Sequence, residues 1–170
     1  MTGAARESAP APNRYDELIA LLDRHQARYR LIDHAPEGRT EIVSAMRGHP
    51  ASAAAKCIIL MLKLGKKTTR FTLAVVPGDA RVELNALRTL MQATYASFAS
   101  PEIAERLAGS VSGTILPIAF SPELELIVDP SLLQTEELFF NAARLDRSVA
   151  LRTEDYVRIA KPRTARIAAR

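Results

Sequence analysis

Two features of the sequence bring together residue types that can do chemistry. Lys56 begins the apolar run 56–62, and strand alternation places this lysine on the same face as Ile58 and Leu60. A lysine there either extends its ammonium group to solvent or lines a cavity that admits an anion. In the segment 113–117, Gly113 can expose backbone groups to a ligand, while Pro117 fixes the path of the chain. Each feature also has an ordinary explanation: Lys56 can simply mark the start of a strand, and Gly113 with Pro117 can form a turn.

Several familiar catalytic patterns are absent from the sequence. It contains no Gly-x-Ser-x-Gly elbow, no phosphate-binding P-loop, no dinucleotide glycine fingerprint and no His-Glu-x-x-His. The three histidines, His25, His34 and His49, lack the spacing of metal ligands. The one cysteine, Cys57, alternates to the strand face opposite Lys56. We therefore expect no metal, no cofactor, no serine triad and no catalytic thiol.

Basic residues are concentrated in two acid-free segments. The chain has 23 Lys+Arg against 19 Asp+Glu, a net charge of +4. One acid-free segment lies between Glu41 and Asp79, and the other is formed by residues 161–170. Such segments suit a phosphate-rich partner, although a solvated hairpin and a loose tail would have the same composition. The candidate residues for binding such a phosphate-rich partner are Lys63, Lys66, Lys67, Arg70 and Lys161.

Length and composition predict one cytoplasmic, soluble domain. The 170 residues are 48% hydrophobic and 25% charged, which is typical of a globular protein with a single core. No apolar run reaches the ~20 residues that a membrane helix requires, and the N-terminus lacks the apolar core of a secretory signal. Residues 1–14 are predicted to be a disordered leader, 15–162 the domain and 163–170 a basic tail.

Hydrophobic periodicity and capping residues predict scattered helices between β-hairpins. Helices are expected from residue 15, at 40–48 with Thr40 as N-cap, at 83–91, after Ser100-Pro101 until Gly109, and at 154–160 with Thr153 as cap. Strands are expected at 29–34, 57–64, 70–76, 115–120, 124–128, 139–142 and 148–152. The predicted fold class is α+β, with a mixed, mostly antiparallel sheet or a partly closed barrel surrounded by helices.

Several motifs follow one another in a specific order and spacing along the chain. They are Ala-Ala-Ala-Lys56-Cys-Ile-Ile-Leu, Val-Ser-Gly113-Thr-Ile-Leu-Pro117-Ile, Val-Asp129-Pro-Ser-Leu-Leu, and Phe-Asn141-Ala-Ala-Arg-Leu-Asp146-Arg-Ser148-Val-Ala-Leu followed by Thr153-Glu-Asp-Tyr-Val-Arg-Ile. Together, over about residues 15–162, the chain resembles the YbaK/prolyl-tRNA-synthetase-associated domain family of aminoacyl-tRNA deacylases. The match through the last of these motifs is most similar to the YeaK-like branch of the trans-editing group.

The resemblance implies hydrolysis of the ester between a wrong, small amino acid (Ala, Ser, Thr or Cys) and the terminal adenosine of a tRNA. It implies that Lys56 holds the 3′ end of the tRNA and that backbone groups around Gly113 surround the aminoacyl moiety, so these two residues are the catalytic candidates. On this basis, Gly113→Ala is expected to lower activity more than stability. The implied substrate-binding residues are His34, Ser112, Thr114, Pro117, Asn141 and Ala142.

The resemblance leaves three points open. Many relatives carry glycine where this chain has Ala143, which affects the expected amino-acid specificity if that position needs a positive φ. A non-catalytic tRNA- or nucleotide-binding module of the same fold is the alternative function, and a small-molecule ester or amide hydrolase is a third. Aminoacyl-tRNA is the expected partner, with an aminoacyl-tRNA synthetase as a further candidate.

Overall fold

The structure, a computed structural model, describes residues 13–169. The expected leader covers residues 1–14; of these, residues 1–12 lie outside the described residues, whereas Asn13 caps the first helix and Arg14 begins it. Asn13 is the N-cap of that helix, and its side chain accepts a hydrogen bond from the Asp16 amide. The helix therefore begins one residue earlier than the apolar periodicity indicates, because the cap and not the apolar face determines where it starts.

Five short α-helices lie along the chain. They are α1 (Arg14–Arg24), α2 (Thr40–Arg47), α3 (Leu84–Leu90), α4 (Pro101–Ala108) and α5 (Thr153–Ala160). All five predicted helices are confirmed, and Gly48 and Gly109 end α2 and α4 in left-handed conformations as their positions indicate. Thr40 and Thr153 are the first helical residues and not N-caps, so their predicted capping roles are wrong by one position.

Ten β-strands form three sheets in the described residues. They are β1 (Tyr29–Asp33), β2 (Ala55–Leu64), β3 (Thr68–Pro77), β4 (Arg81–Val82), β5 (Tyr95–Phe98), β6 (Leu124–Val128), β7 (Glu137–Asn141), β8 (Arg147–Arg152), β9 (Arg163–Thr164) and β10 (Ala168–Ala169). The sheet orders are β1-β8-β7, β10-β4 and β5-β2-β3-β6-β9.

The sheets are mixed and mostly antiparallel, as predicted. Among the pairs formed by these ten strands, only β3–β6 and β6–β9 are parallel. The five-stranded sheet runs from β5 at one edge to β9 at the other, so it does not close and the partly closed barrel is wrong. The described residues form one α+β unit in which β2 and β3, ten residues each, provide the longest pairing.

The core lies in layers on both faces of the five-stranded sheet. One face packs with the inner face of the three-stranded sheet and with α1, α4 and α5; Leu18, Ile59, Leu73 and Leu151 are among its buried residues. The opposite face packs against α3 and the C-terminal segment. Strand alternation separates the two faces along β2, where Ile59 belongs to the first cluster and Leu60 to the second.

The predicted strand at 115–120 is wrong. The chain there is irregular, although Leu116, Pro117 and Ile118 are buried. Proline has no amide N–H to donate to a ladder, and the Pro117 carbonyl instead accepts a 2.6 Å hydrogen bond from the buried Tyr156 hydroxyl. The apolar run thus packs into the core as a loop that α5 anchors.

The C-terminal segment, predicted as a separate basic tail, is part of the fold through residue 169. Strands β9 and β10 pair with β6 and β4, and Ile167 is 1% exposed. The Asp129 carboxylate accepts hydrogen bonds from the backbone amides of Ile167 and Ala168 at 2.9 and 2.8 Å. The positive charges of this segment are therefore carried on a fixed backbone.

Candidate functional site

A cleft of about 60 Å³ lies where α2, the start of β2, the end of β7 and the loop 113–117 meet. The polar side chains on its wall include one arginine, one lysine and one asparagine, with no carboxylate among the described residues that line it. Its lining residues are Gly38, Thr40, Val43, Arg47, Ala55, Lys56, Cys57, Gly113, Ile115, Phe140 and Asn141.

Lys56 and Cys57 both reach the cleft because it opens at the start of β2, where consecutive residues border the same space. The Lys56 ammonium group makes no hydrogen bond or ion pair with any residue in the described part of the chain, so it is available to a ligand. Burial raises the pKa of the Cys57 thiol well above its usual range. The thiol therefore stays protonated at neutral pH, which agrees with the expectation that it is not a nucleophile.

Asn141 joins two segments of the cleft wall through its side-chain amide. Its Nδ2 donates hydrogen bonds to the Glu37 carbonyl at 2.8 Å and to the Gly113 carbonyl at 3.0 Å. Its Oδ1 accepts from the Ser148 hydroxyl at 2.9 Å, across the β7–β8 pair. These bonds use both ends of the amide, so Asn141 fixes the positions of the cleft-lining backbone.

His34 lies behind the cleft wall and does not line it. Its Nε2 is 2.7 Å from the Ser148 Oγ, and its Nδ1 is 2.9 Å from the Ala35 carbonyl oxygen. Ser148 itself is 0% exposed. This Ser–His pair resembles a nucleophile with its base, but the buried hydroxyl is not at the cleft and instead supports Asn141.

Only Gly113 and Ile115 of the loop 113–117 line the cleft. Ser112 donates from its amide and its hydroxyl to the Glu105 carboxylate, each at 3.0 Å. The Thr114 hydroxyl donates to the Val111 carbonyl at 2.6 Å, and Pro117 is held by Tyr156. The structure thus places Ser112, Thr114 and Pro117 in positions that shape the loop, with their polar groups already bonded within the protein.

Ala142 and Ala143 follow Asn141 in the turn between β7 and β8. Ala142 is 0% exposed, and its amide donates to the Arg147 carbonyl at 2.9 Å. Ala143 adopts a φ of 60°, the left-handed conformation that glycine favours. Neither residue lines the cleft, so Ala143 affects the turn that carries Asn141 and not the cleft wall.

The predicted tRNA-binding residues lie away from the cleft. Lys63, Lys66, Lys67 and Arg70 are exposed at the β2–β3 hairpin, and Lys161 is exposed at the end of α5. Lys63 is seven residues from Lys56 on β2, which is about 23 Å at ~3.3 Å per residue. The hairpin therefore cannot contact the same nucleotide as Lys56, but a substrate as long as a tRNA can span the distance.

Arg47 is the main site residue that the sequence did not single out. It lies in the last turn of α2 and donates to His49 Nε2 and Ser148 Oγ, each at 2.9 Å. Burial lowers the pKa of its guanidinium to about 10. The only sequence signal was its membership of the acid-free segment, because the neutral partner Ser148 is far away along the chain.

Comparison with known families identifies the family of the chain. Residues 34–159 match the family model described as the aminoacyl-tRNA editing domain, and this range includes every residue lining the cleft. The chain belongs to the aminoacyl-tRNA editing domain family. The YbaK-like resemblance and the assignment as a deacylase fold are thereby confirmed.

A curated relative of this editing domain comes from Escherichia coli (strain K12). It is the multifunctional Ser/Thr-tRNA deacylase ProXp-y, which is 38% identical over 157 residues, 92% of this chain and 93% of the relative. An identically named protein of Escherichia coli O157:H7 gives the same identity and coverage.

Solved structures agree with the fold of the editing domain. A proposed trans-editing enzyme for prolyl tRNA synthetase superposes with a TM-score of 0.76 at 16% identity, covering 95% of this chain and 99% of that one. A hypothetical protein gives a TM-score of 0.81 at 19% identity, covering 90% and 99%. At these identities the superpositions establish the shared fold.

The chemistry available at the cleft of this editing domain is positioning and electrostatic stabilisation. No histidine or carboxylate lines the cleft, and within residues 13–169 no three His, Cys, Asp or Glu side chains are grouped so that they could hold a metal ion. The cleft wall offers two cations, Arg47 and Lys56, and a backbone whose position the Asn141 side-chain amide fixes. An aminoacyl ester is already activated, so orientation of the ester and a water molecule can supply much of the rate.

Proposed function

We propose that this protein hydrolyses, in trans, the ester that links serine or threonine to the terminal adenosine of a mischarged tRNA. The observation that carries the proposal is Lys56, a cation without a partner in the described residues, on the wall of a small cleft within the editing domain. A partly buried lysine on a cleft wall can bind an anionic ligand, and the tRNA 3′ end supplies one.

The substrate class follows from the relative and from the size of the cleft. The curated relative is named as a Ser/Thr-tRNA deacylase and matches over 92% of this chain. A cleft of about 60 Å³ suits a small side chain and excludes large ones by size, the principle of a second editing sieve. Thr40 contributes a hydroxyl-bearing side chain to the cleft lining, which suits a substrate side chain that carries a hydroxyl.

The proposed reaction uses water as nucleophile and the protein as a template. Lys56 binds the 3′ end, and the backbone around Gly113, braced by Asn141, surrounds the aminoacyl group. Water adds to the ester carbonyl carbon, the bond from that carbon to the ribose oxygen breaks, and the ribose oxygen takes a proton. The neighbouring ribose hydroxyl orients the water. The products are the free amino acid and uncharged tRNA.

The proposal also covers partners and location. Aminoacyl-tRNA is the substrate, and we place the enzyme in the cytoplasm, where tRNA is charged. Contact with an aminoacyl-tRNA synthetase would be transient, at the release of the mischarged tRNA. None of the helices within residues 13–169 has the length and apolar character to cross a membrane.

The test is a panel of tRNAs charged separately with alanine, serine, threonine, cysteine and proline. We expect accelerated loss of the seryl and threonyl esters, with activity retained after exhaustive chelation. Lys56→Ala should lower the rate by about tenfold or more, whereas Arg88→Ala, at an exposed position in the last turn of α3, should change it less than about twofold. Binding of tRNA without ester loss across the panel would instead favour a non-catalytic binding module.

A further inference from the structure

Arg47 is a half-buried cation that the fold leaves without an acid. Ten ion pairs are formed by arginines elsewhere in the described residues, and none of them involves Arg47. Burying an arginine without a counter-charge is unfavourable because the guanidinium loses hydration. Its lowered pKa, about 10, reflects that loss. An arginine in this state at a cleft indicates that the missing anion arrives with a ligand.

The hydrogen bonds of Arg47 orient its guanidinium and leave part of it unused. Nε donates to His49, Nη1 donates to Ser148 at 2.9 Å, and Nη2 makes a long 3.5 Å contact with Ser44 Oγ. All three acceptors are neutral. Because each terminal nitrogen carries two hydrogens, one N–H on each remains, and these two suit the paired oxygens of a phosphate group.

His49 and Ser148 hold Arg47 in this orientation from two different elements. The His49 ring stacks on Phe139 of β7, with centroids 3.7 Å apart. Its Nδ1 is 2.8 Å from the Pro50 carbonyl, so Nδ1 carries the proton and Nε2 is free to accept from Arg47. Ser148 is buried on β8. The guanidinium is therefore oriented before any ligand binds, which reduces the entropy lost on binding.

The substrate offers one anion at the right place. Its α-amino group is a cation at neutral pH and is repelled by a wall that carries Arg47 and Lys56, while the ester is neutral. The phosphodiester that precedes the terminal ribose is the nearest negative charge to the ester. Resting on the proposed function, we propose that Arg47 binds this phosphate through its two free N–H groups and so sets the position of the ester in the cleft.

Two other roles for Arg47 give different kinetics. If it only braces Ser148 and His49, its loss damages the cleft for every substrate. If it stabilises the negative oxygen of the transition state, its loss lowers kcat for every substrate. Binding of the phosphate alone predicts that the effect depends on whether the substrate contains that phosphate.

The test compares seryl-tRNA with 3′-O-seryladenosine, which has the same ester but no phosphate. Arg47→Gln should lower kcat/KM for seryl-tRNA by about tenfold or more, mainly through KM, and change that for seryladenosine by less than about twofold. Arg47→Lys keeps the charge but not the paired donors, so its kcat/KM for seryl-tRNA should lie between those of the wild-type protein and Arg47→Gln. The matched control is Arg88→Gln, an arginine in the last turn of α3 that should affect neither substrate.

Equal losses on both substrates would overturn the proposal. A binding measurement, independent of turnover, compares AMP with adenosine as ligands. The wild-type protein should bind AMP about tenfold more tightly than adenosine, and Arg47→Lys, or Arg47→Gln if it folds, should reduce that preference. An unchanged preference in a folded variant would again overturn the assignment of Arg47. Should the wild-type protein hydrolyse neither ester, the proposed function fails while this binding comparison still decides the phosphate site.

Discussion

The backbones of Gly38 and Gly113 lie in direct contact beside the cleft. A Cβ atom built on Gly113 would lie 2.9 Å from the Gly38 Cα, and one built on Gly38 would lie 3.3 Å from the Gly113 Cα. The Asn141 amide bonds the Gly113 carbonyl and the neighbouring Glu37 carbonyl at the same junction. The loop 113–117 and the segment before α2 are thus joined by a close approach that leaves no room for side chains.

Gly113→Ala should therefore destabilise the fold, contrary to the expectation drawn from the sequence. The φ of Gly113 is 87°, which is strained for alanine, and the added methyl group would meet the Gly38 backbone. We expect a loss of about 1–3 kcal/mol in the free energy of unfolding, together with lower activity per folded molecule because the cleft wall moves. Urea unfolding and kinetics on the same preparation measure the two effects.

Gly65→Ala is the matched control for that substitution. Gly65 has a similar φ of 73° at the β2–β3 hairpin, but nothing lies within 4 Å of a Cβ built there. It isolates the cost of the backbone conformation, about 1 kcal/mol, and should leave deacylation unchanged. If the two variants lost equal stability, the contact with Gly38 would contribute nothing.

The sequence predicted the elements with local signals and missed what depends on distant contacts. Helix α4 was predicted with its Ser100 cap and Gly109 end because those signals lie within one helix. The segment 115–120 was mistaken for a strand because its apolar run does not reveal that Tyr156 holds Pro117. Strand β5 was missed because it is four residues long and is fixed by pairing with β2.

The same limit applies to the site. Lys56 could be singled out because a charge at the end of an apolar strand breaks a local pattern, and Gly113 because a glycine in the segment before Pro117 can expose its backbone, whereas Asn141 was carried over from a family motif. Arg47 could not be singled out from the sequence, because an arginine in the last turn of an amphipathic helix is common. What makes it unusual is burial without an acid, which only the packing of β8 and His49 against α2 establishes.

Ala143→Gly should stabilise the protein. Ala143 has a φ of 60°, and the left-handed conformation costs alanine about 1–2 kcal/mol. Glycine removes this strain but gives the unfolded chain more entropy, which offsets about 0.5–1 kcal/mol. The net gain should be about 0.5–1 kcal/mol in urea unfolding. Ala142→Gly, at the adjacent fully buried residue, should lose stability, and a loss in both variants would contradict strain at position 143.

Thr72→Val should also stabilise the fold. The Thr72 hydroxyl on β3 is buried and has no hydrogen-bond partner in the described structure. Removing a buried, unpaired hydroxyl while keeping the shape of the side chain relieves a desolvation cost of about 1 kcal/mol. The control is Thr114→Val. The buried Thr114 hydroxyl donates a hydrogen bond to the Val111 carbonyl, so this substitution should lower stability. Thermal unfolding measures the melting temperature of both variants. A lower melting temperature for Thr72→Val than for the wild-type protein would contradict the prediction.

Asp129 should contribute stability that depends on pH. Burial raises the pKa of its carboxyl, but hydrogen bonds from Ser131, Ile167 and Ala168 outweigh burial and hold the pKa below 3.8. A lowered folded pKa means that the unfolded state binds more protons, so this stabilisation is present above about pH 4 and is lost as pH falls through the folded pKa.

Asp129→Asn tests this contribution. An asparagine presents an NH₂ group where the carboxylate accepts from two backbone amides, so the variant should lose about 1.5–3 kcal/mol at pH 7. The difference from the wild-type protein should shrink between pH 5 and pH 3, as followed by urea unfolding at each pH. A difference that stays constant over this range would mean that the charge of Asp129 is not what anchors β10.

The β2–β3 hairpin should contribute affinity for tRNA without affecting the choice of amino acid. Lys63, Lys66 and Lys67 are exposed and lie about 23 Å or more from Lys56, so they can contact the phosphate backbone but not the ester. Changing all three to glutamine should weaken binding and reduce the slope of log K against log salt by about 2–3, because fewer counterions are released.

The control for this triple variant changes Arg24, Arg81 and Arg88 to glutamine, which removes the same charge elsewhere on the surface. Fluorescence anisotropy at several salt concentrations compares the two triple variants. Equal slopes for the two would mean that net charge, and not the hairpin, attracts the tRNA, while an altered ratio of seryl to threonyl hydrolysis would place the hairpin nearer the ester than β2 allows.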